Sequence, residues 1–263
     1  MRADRYLVDF GYAASRQKAA AYIKSGAVTI DSSVIDKPSA EIDETIGHSV
    51  KIELSEEDLY VGRGALKLKA AIESFNINVT EKVCVDIGAS TGGFTDCLLQ
   101  KGAMRVYAYD SGRDQLHPKL LNDPRVISKE GFNARFITPE DVGEPADVVV
   151  MDVSFISQTL IIPRISPLLR ENGIFISLVK PQFEAGRQAL GKNGIVKKRE
   201  DKLGAIEKVA RCGNDSSLLP VGIIPSPIKG GDGNEEFLIY FIKNGNEKNE
   251  LTEFQLAAKN IVK

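Results

Sequence analysis

The sequence is poor in the residues that form metal sites and disulfides. Its three cysteines, Cys84, Cys97 and Cys212, include no CxxC pair, and its two histidines, His48 and His117, lie far apart in the chain. A structural zinc site needs Cys or His ligands at short, regular spacings. An odd, unpaired set of cysteines is typical of free thiols in a reducing compartment. We therefore expect neither a bound metal nor a disulfide.

Long apolar runs and an excess of positive charge are also missing. No apolar run approaches the ~18 residues of a membrane span, and the N-terminal MRADRYLVDFG lacks the apolar core of a secretory signal. The formal net charge is −2 and 43% of the residues are apolar, as in an ordinary globular protein. We expect a cytoplasmic protein in which only a local basic patch could bind nucleic acid.

Residues 1–60 are predicted to form a small α+β domain and an acidic linker. DRYLVDFG indicates a short helix ended by Gly11, and Ser15 is placed to cap a second helix that ends at Gly26. The runs AVTID, SVID and VKIEL predict short strands. The first thirty residues are locally basic through five side chains: Arg2, Arg5, Arg16, Lys18 and Lys24. Charge alone leaves open whether these are ordinary solvated helix charges.

The residue order in this segment resembles a known RNA-binding domain. SR-x-x-A-x-x-x-I-x-x-G-x-V, followed by V-I-D-K-P, is similar to the small domain first described in a ribosomal protein and shared with pseudouridine synthases and tyrosyl-tRNA synthetases. In that domain two helices and a hairpin present a basic face to structured RNA. The resemblance implies that the five cations contact RNA.

Residues 61–245 alternate between strand and helix patterns. GRGALKLKAAIESF has the apolar spacing of an amphipathic helix, and five strands follow, with helical stretches between them that include TLIIPRISPLLREN. This order predicts an α/β fold with a mostly parallel, Rossmann-like sheet. After a long helix, LLPVGIIPS and EEFLIYFIK predict two more strands, the last of them antiparallel. Residues 246–263 are predicted to form a surface tail that is helical.

Polar residues stand where the predicted strands end. Asp86, Asp110, Asp152 and Lys180 each follow a strand, and an antiparallel last strand would add Glu235 or Glu236. Open α/β sheets bind ligands beyond the carboxyl ends of their parallel strands. We therefore expect these side chains to converge on one edge of the sheet.

The stretch DIGASTGGF, residues 86–94, is rich in small residues directly after a strand. It departs from the nicotinamide fingerprint G-x-G-x-x-G because Ser90 stands at the second glycine position. The stretch resembles the first motif of S-adenosylmethionine methyltransferases, with Asp86 facing the cationic methionine end and Asp110 placed for the ribose hydroxyls. The resemblance implies eight cofactor contacts: Asp86, Gly88, Ser90, Gly92, Gly93, Phe94, Asp110 and Asp152. The alternative is a turn that only packs a helix on the sheet.

Five segments in order extend this resemblance over almost the whole chain. YVGRGALKL, DIGASTGGFTD, MDVSFIS, LVKPQFEAG and SPIKG with GNEEFL are similar to the hemolysin-like TlyA family of rRNA 2′-O-methyltransferases, whose catalytic domain is similar to the methyltransferase FtsJ. The resemblance implies methylation of a ribose 2′-hydroxyl, of cytidine, in ribosomal RNA or a ribosomal subunit. It also implies a catalytic tetrad formed by Lys67, Asp152, Lys180 and Glu236.

The tetrad suits proton removal from a hydroxyl. A lysine with an ordinary pKa of about 10.4 is almost fully protonated at neutral pH, so a lysine base needs help from its surroundings. We expect Lys180 to take the 2′ proton and Lys67 to favour its neutral form by like charge. Asp152 and Glu236 would orient the amine and the hydroxyl. The alternative is two surface ion pairs.

The sequence leaves several questions open. Residues 109–113, YDSGR, and Gly62 depart from the family pattern, and GKNGIVKKRE at 191–200 is either a mobile RNA-contacting loop or a solvated connection. Three other functions compete with methyl transfer: a membrane-active hemolysin, a non-catalytic RNA-binding factor for ribosome assembly and, least favoured, a nicotinamide oxidoreductase. The oligomeric state is not indicated.

Overall fold

The computed structural model describes residues 1–243 and 251–263. Its internal contacts divide the chain into a first unit, Met1–Leu59, and a second unit, Tyr60–Lys263. The division falls one residue before the predicted boundary at 60. The predicted boundary at 245 and the beginning of the predicted tail lie outside the described residues.

The first unit contains two helices and three short strands. Its elements are α1 (Ala3–Asp9), α2 (Arg16–Lys24), β1 (Val28–Ile30), β2 (Ser33–Val34) and β3 (Val50–Ile52). Ser15 caps α2 as predicted, because its side chain accepts a hydrogen bond from the Lys18 amide at 3.2 Å. Within residues 1–59 the strands pair antiparallel in the order β2-β1-β3. The helices pack on this sheet through a small apolar core that includes Leu7, Ile23 and Val28.

In the described part of the second unit, seven strands form one sheet in the order β6-β5-β4-β7-β8-β10-β9. The strands are β4 (Val83–Ile87), β5 (Arg105–Tyr109), β6 (Val126–Lys129), β7 (Ala146–Met151), β8 (Leu169–Val179), β9 (Leu218–Pro225) and β10 (Phe237–Lys243). Strands β4 to β8 are parallel, and β10 runs antiparallel to both β8 and β9. The predicted Rossmann-like sheet with an antiparallel last strand is confirmed.

Helices cover both faces of this sheet. They are α3 (Gly64–Ser74), α4 (Gly93–Gln100), α5 (Pro118–Leu121), α6 (Pro139–Val142), α7 (Ile165–Leu168), α8 (Pro181–Glu184), α9 (Arg199–Asp215) and α10 (Thr252–Ile261). Single 3₁₀ turns occur at Glu56–Leu59, Ala134–Phe136, Gln158–Leu160, Ile162–Arg164, Arg187–Ala189 and Lys192–Gly194. Alternate residues of the central strands point to the two faces, so that Cys84 packs with Leu68 and Leu98, whereas Val85 packs with Val209 and Phe254.

Two expectations for the second unit are corrected. The predicted helix through TLIIPRISPLLREN is broken into short turns, because Pro163 and Pro167 lack the amide hydrogens that a continuous helix requires. Strand β8 therefore begins early, at Leu169. The C-terminal segment is helical as predicted, but α10 is not merely a surface tail, since Phe254 and Ala258 are buried in the core of the sheet.

Candidate active site

A cleft lies at the carboxyl edge of the parallel strands in the second unit. It consists of two adjoining cavities of about 260 and about 700 Å³, here called the smaller and the larger cavity. Four residues line both of them: Gly88, Ser90, Asp152 and Ser154. Three of the predicted strand-end residues, Asp110, Asp152 and Lys180, line this cleft.

Gly88 explains why the segment after β4 needs a glycine. Its φ angle is +84°, and a Cβ at this position would lie 2.4 Å from the carbonyl oxygen of Asp152. The Gly88 amide donates a 2.8 Å hydrogen bond to the Tyr109 carbonyl, so the backbone cannot move aside. Only glycine fits this backbone conformation between two strand ends. The result is an open floor shared by both cavities.

Six of the eight predicted cofactor residues line the cleft. Those six are Gly88, Ser90, Gly93, Phe94, Asp110 and Asp152. The other two, Asp86 and Gly92, line neither cavity. Gly92 has a φ of +96°, and a Cβ there would collide with Leu120, so at this position the packing alternative accounts for the glycine.

Asp86 is fully buried beneath the loop that follows β4. Its Oδ2 accepts a 2.7 Å hydrogen bond from the Thr95 hydroxyl of α4, and its Oδ1 has no hydrogen-bond partner among the described residues. Burial raises the pKa of Asp86 to about 7, because removing the carboxylate from water disfavours its charged form. Sequence reasoning could not decide this, since a carboxylate at a strand end can point into the core or out of it.

Asp110 holds two backbone segments of the larger cavity together. Its Oδ2 accepts from the Ser90 amide at 2.7 Å and its Oδ1 accepts from the Gly112 amide at 2.6 Å. Nearby, the Glu130 carboxylate accepts three backbone hydrogen bonds from residues 114–116, which lower its pKa. The segment that departs from the family pattern, YDSGR, is therefore well anchored at Asp110.

The outer wall of the larger cavity was missed by sequence reasoning. It contains the aromatic rings of Tyr109 and Phe132, whose centroids lie 5.1 Å apart, together with Asn133 and Ile161. Apolar and aromatic walls with a few polar groups are typical of nucleoside-sized pockets. Together with the glycine floor at Gly88 and the Asp110 carboxylate, this wall fits an adenosine-containing cofactor such as S-adenosylmethionine.

The four predicted catalytic residues form two ion pairs at the smaller cavity. Lys67 Nζ lies 2.6 Å from Glu236 Oε2, and Lys180 Nζ lies 2.6 Å from Asp152 Oδ1. Both lysines and Asp152 line the cavity wall, and the Lys180 ammonium also donates to the Ser154 hydroxyl at 2.8 Å. Because the lysines and Glu236 are buried, the alternative of two surface ion pairs does not hold.

Four different elements supply the tetrad. Lys67 lies on α3, Asp152 follows β7, Lys180 precedes α8 and Glu236 precedes β10. The nearby Lys69 instead forms an ion pair with Glu73 at 3.2 Å on the same helix. Lys67 is thus the lysine of α3 that lines the cleft, in agreement with what the resemblance of YVGRGALKL implied.

Gly62, the other departure from the family pattern, contacts the segment after β4. A Cβ at Gly62 would lie 2.8 Å from the Thr91 hydroxyl. A serine here would require Thr91 to move, so glycine matches the threonine of this chain. The neighbouring Arg63 lines the smaller cavity and was not predicted as a site residue.

An exposed aromatic residue also lies at the cleft and was not predicted. Phe155 is 92% exposed, has a φ of +63°, lines the larger cavity and packs against Phe183 with ring centroids 5.2 Å apart. A positive φ is rare for a bulky residue and marks strain. The signal was present in the motifs MDVSFIS and LVKPQFEAG, each of which contains a phenylalanine.

Two of the predicted RNA-binding cations share one carboxylate in the first unit. Arg2 and Arg16 each lie 3.0 Å from Oδ2 of the buried Asp4. The hydrogen bond from Arg2 is the largest of the effects that lower the pKa of Asp4 to about 2. Two cations against one anion leave a net positive charge at this surface.

The other three predicted RNA-binding cations are exposed on α1 and α2. Arg5 pairs with Asp9 at 3.1 Å, Lys18 lies 5.9 Å from the centre of the Tyr22 ring, and Lys24 faces solvent. The charges therefore remain at the surface rather than in the core.

The lysine-rich segment at 191–200 is tied to the rest of the second unit. The buried Asn234 accepts from the Val196 amide at 3.0 Å and donates to the Gly194 carbonyl at 3.1 Å. Asn234 lies two residues before Glu236, so the segment is anchored beside the tetrad. Lys197 and Lys198 remain exposed on it.

Comparison with known proteins gives matches to both units. Residues 60–243 match the FtsJ-like methyltransferase family and residues 1–45 match the S4 domain. The 16S/23S rRNA (cytidine-2′-O)-methyltransferase TlyA of Mycobacterium tuberculosis is 41% identical over 239 residues, which cover 91% of this chain and 88% of the relative. Hemolysin A of Brachyspira hyodysenteriae is 44% identical over 249 residues, or 92% of this chain and 100% of the relative.

A solved structure is also similar to this chain over almost its whole length. The structure of a hemolysin candidate from Streptococcus thermophilus is 38% identical, with a TM-score of 0.74, and the match covers 99% of this chain and 94% of that one. Within residues 1–243 and 251–263, no helix has the length and apolar character that crossing a membrane requires. The same residues hold no group of three or more His, Cys, Asp or Glu side chains that could bind a metal ion.

Proposed function

Because the chain belongs to the FtsJ-like methyltransferase family, we propose that it transfers a methyl group from S-adenosylmethionine to a ribose 2′-hydroxyl of ribosomal RNA. The proposed nucleotide is a cytidine, which is the one named for the Mycobacterium tuberculosis relative. The observation that carries the proposal is the Lys180–Asp152 ion pair, which lines a cavity next to the glycine floor. A ribosomal RNA substrate implies that the reaction takes place in the cytoplasm.

The residues of the cleft divide the work between binding and proton transfer. Gly88, Ser90, Asp110 and the aromatic wall would hold the cofactor, which supplies an electrophilic methyl group on a sulfonium. Lys180 in its neutral form would accept the proton of the 2′-hydroxyl as the oxygen takes the methyl group. Holding the hydroxyl in line with the methyl group is the other requirement of this displacement.

The two ion pairs have different roles in this proposal. Asp152 fixes the direction of the Lys180 amine, and the Ser154 hydroxyl accepts from the same nitrogen. Lys67 and Glu236 form the opposite part of the tetrad, where Lys67 places a second positive charge in the smaller cavity.

Surface features of both units suit an RNA substrate. The excess positive charge around Asp4 in the first unit would contact phosphates. Phe155 offers an exposed ring beside the cleft, and unstacked RNA bases commonly stack on aromatic side chains. Lys197 and Lys198 would contact the backbone near the target nucleotide. We propose ribosomal RNA or a ribosomal subunit as the partner.

Two other functions are less well supported. A hemolysin is suggested by the names of some relatives, but it gives no role to a buried Lys180–Asp152 pair that lines a cavity. A non-catalytic RNA-binding factor would need the first unit but not the tetrad. Burying the charges of Lys67, Lys180 and Glu236 is costly unless they serve a purpose, which favours catalysis over both alternatives.

The proposal is tested by incubating the protein with labelled methyl donor and separated ribosomal subunits, followed by mapping of the modified nucleotide. Lys180→Ala is expected to bind S-adenosylhomocysteine normally but to lose about 10²–10⁴-fold in the rate of transfer, the usual contribution of a general base. Lys69→Ala, on the surface of α3, is the matched control and should retain activity. Methylation by Lys180→Ala at the wild-type single-turnover rate would contradict the assignment.

A further inference from the structure

The segment between β7 and the turn at Gln158 carries much of the proposed catalytic machinery. This segment, Asp152–Gln158, is here called the catalytic loop; it contains Ser154 and Phe155 and has no regular secondary structure before Gln158. We propose that Glu184 is a positioning residue that holds the catalytic loop against Lys180. The inference rests on the proposed function for its catalytic readout.

Glu184 is the last residue of α8, the single turn that follows Lys180. Its carboxylate is 0% exposed and binds the far end of the catalytic loop through both oxygens. Oε1 accepts from the backbone amide of Gln158 at 2.7 Å, and Oε2 accepts from the Ser157 hydroxyl at 2.6 Å. Hydrogen bonds to an ionised carboxylate are short and strong, so this contact joins the two segments firmly.

Lys208 of α9 completes the contact. Its Nζ lies 3.2 Å from Glu184 Oε2 and donates to the Glu184 carbonyl at 3.1 Å and to the Ser157 hydroxyl at 3.2 Å. The ammonium compensates the buried charge, which would otherwise be costly. The long helix α9 thus supports both the turn after Lys180 and the end of the catalytic loop.

A second side chain ties the same two segments together. The side chain of Gln158 is buried. Its amide nitrogen donates to the Leu178 carbonyl, and its amide oxygen accepts from the Ser177 hydroxyl of β8 at 2.5 Å. Strand β8 ends one residue before Lys180. Gln158 therefore fixes the loop to the strand, whereas Glu184 fixes it to the turn beyond the lysine.

These contacts bear on the distance between Lys180 and Asp152. The other end of the catalytic loop is held by the Asp152 amide, which donates to the Ile87 carbonyl at 3.0 Å. Between the two ends, Phe155 adopts a strained positive φ that persists only where its surroundings enforce it. Without the Glu184 contact the loop would relax, and Asp152 and Ser154 would shift relative to the lysine amine.

The test compares Glu184→Ala and Glu184→Gln in the full chain. For Glu184→Ala we expect kcat to fall by about 10²-fold, the effect of a misplacement near 1 Å, with little change in KM for RNA or in binding of S-adenosylhomocysteine. Glu184→Gln should recover most of the rate, because the side-chain oxygen of the new glutamine can still accept from the backbone amide of Gln158. A fall in KM and kcat together, or no rescue by glutamine, would overturn the proposal.

Asp147 provides a matched control at the opposite end of β7. It is also a buried carboxylate, accepting from the Val83 amide at 2.9 Å and pairing with Arg170 at 3.1 Å. Asp147→Ala should lower the melting temperature without lowering the kcat of the folded protein. If Asp147→Ala and Glu184→Ala reduce kcat equally, Glu184 has only a general structural role.

A readout without methyl transfer separates this inference from the proposed function. Acylation of lysines by an amine-reactive reagent, mapped by mass spectrometry, reports the state of the Lys180 amine directly. Glu184→Ala should increase the acylation rate of Lys180 relative to Lys67, because Lys180 loses its fixed contact with Asp152. An unchanged ratio overturns the positioning role, whereas a wild-type protein that methylates no RNA overturns only the proposed function.

Discussion

Two ion pairs, one in each unit, lie in opposite environments. In the first unit, Arg5 and Asp9 pair with side chains that are 64% and 42% exposed. In the second unit, Lys67 and Glu236 pair with side chains that are 11% and 2% exposed. The nitrogen–oxygen distances are similar, 3.1 Å for Arg5–Asp9 and 2.6 Å for Lys67–Glu236, whereas the exposed fractions of the side chains differ several-fold. Burial therefore distinguishes the two kinds of pair.

The difference teaches what each set of charges can do. An exposed pair contributes little to stability, since water and salt screen it, and its cation can exchange its carboxylate for an RNA phosphate. A buried pair cannot exchange partners without leaving an uncompensated charge. The first unit is thus suited to reversible contact with a polyanion, and the second is suited to holding amines at fixed positions.

The largest effect is expected from removing one member of the buried pair. Lys67→Met leaves the Glu236 carboxylate buried without a counter-charge, and we expect the free energy of unfolding to fall by about 3–5 kcal/mol. The matched change in the exposed pair, Arg5→Met, should cost no more than about 0.5 kcal/mol. Denaturant unfolding of the full chain, followed separately in each unit by hydrogen exchange, measures both.

A double variant sharpens this comparison. Lys67→Met combined with Glu236→Gln removes the orphaned charge and should recover part of the lost stability, giving a favourable coupling in the double-mutant cycle. Methyl transfer should stay low in both variants. Equal stability losses for Lys67→Met and Arg5→Met would show that burial does not distinguish the pairs.

Much of this site could be predicted because the ends of strands can be recognised from the sequence pattern. Apolar runs that stop at Asp110, Asp152 and Lys180 locate the carboxyl edge of a parallel sheet, and topology then brings those residues together. Selecting Lys67 over Lys69 required the resemblance, because helix periodicity does not separate them. The mostly parallel sheet followed from the alternation of strands and helices, and the antiparallel last strand was also predicted, but the strand order was not.

Other features depend on contacts that no local pattern encodes. The partner of each lysine in the tetrad, the inward direction of Asp86 and the contact of Glu184 with the catalytic loop all arise from side-chain packing between distant segments. The broken helix before β8 was a failure of a different kind. There, a long apolar run outweighed Pro163 in the prediction, although proline was the stronger local signal.

A smaller effect is expected from the exposed cations of the first unit. Arg16→Gln removes one of the two cations around Asp4 and should weaken binding to ribosomal RNA several-fold. The slope of log affinity against log salt should fall by about 1, the value for one phosphate contact. Binding of S-adenosylhomocysteine should not change.

Arg125 of the second unit is the matched control for this measurement. It is similarly exposed and paired with Asp123 at 2.7 Å, so Arg125→Gln alters net charge by the same amount. If both variants reduce the slope equally, the effect reflects total charge. Binding would then not be localised to the first unit.

The smallest effect concerns pH and the one histidine of the first unit. His48 Nδ1 lies 2.5 Å from Asp31 Oδ2, and Nε2 lies 2.8 Å from the Asp43 carbonyl, so both nitrogens face acceptors. The hydrogen bond with Asp31, followed by that with the Asp43 carbonyl, raises the pKa of His48 above 6.5. The same contact lowers the pKa of Asp31.

The direction of the pH effect follows from these shifts. Because the pKa of His48 is higher in the folded state than in the unfolded chain, where it is about 6.5, protonation of His48 stabilises the first unit. This stabilisation is complete below the unfolded-state pKa and is lost as the pH rises through the folded-state pKa. Hydrogen-exchange protection of residues 28–52, corrected for intrinsic exchange, should therefore fall modestly between pH 6 and pH 9. His48→Gln should remove this dependence, whereas His117→Gln in the second unit should preserve it. A pH dependence that survives in His48→Gln would mean that another group titrates. The pH dependence of the first unit could then not be assigned to His48.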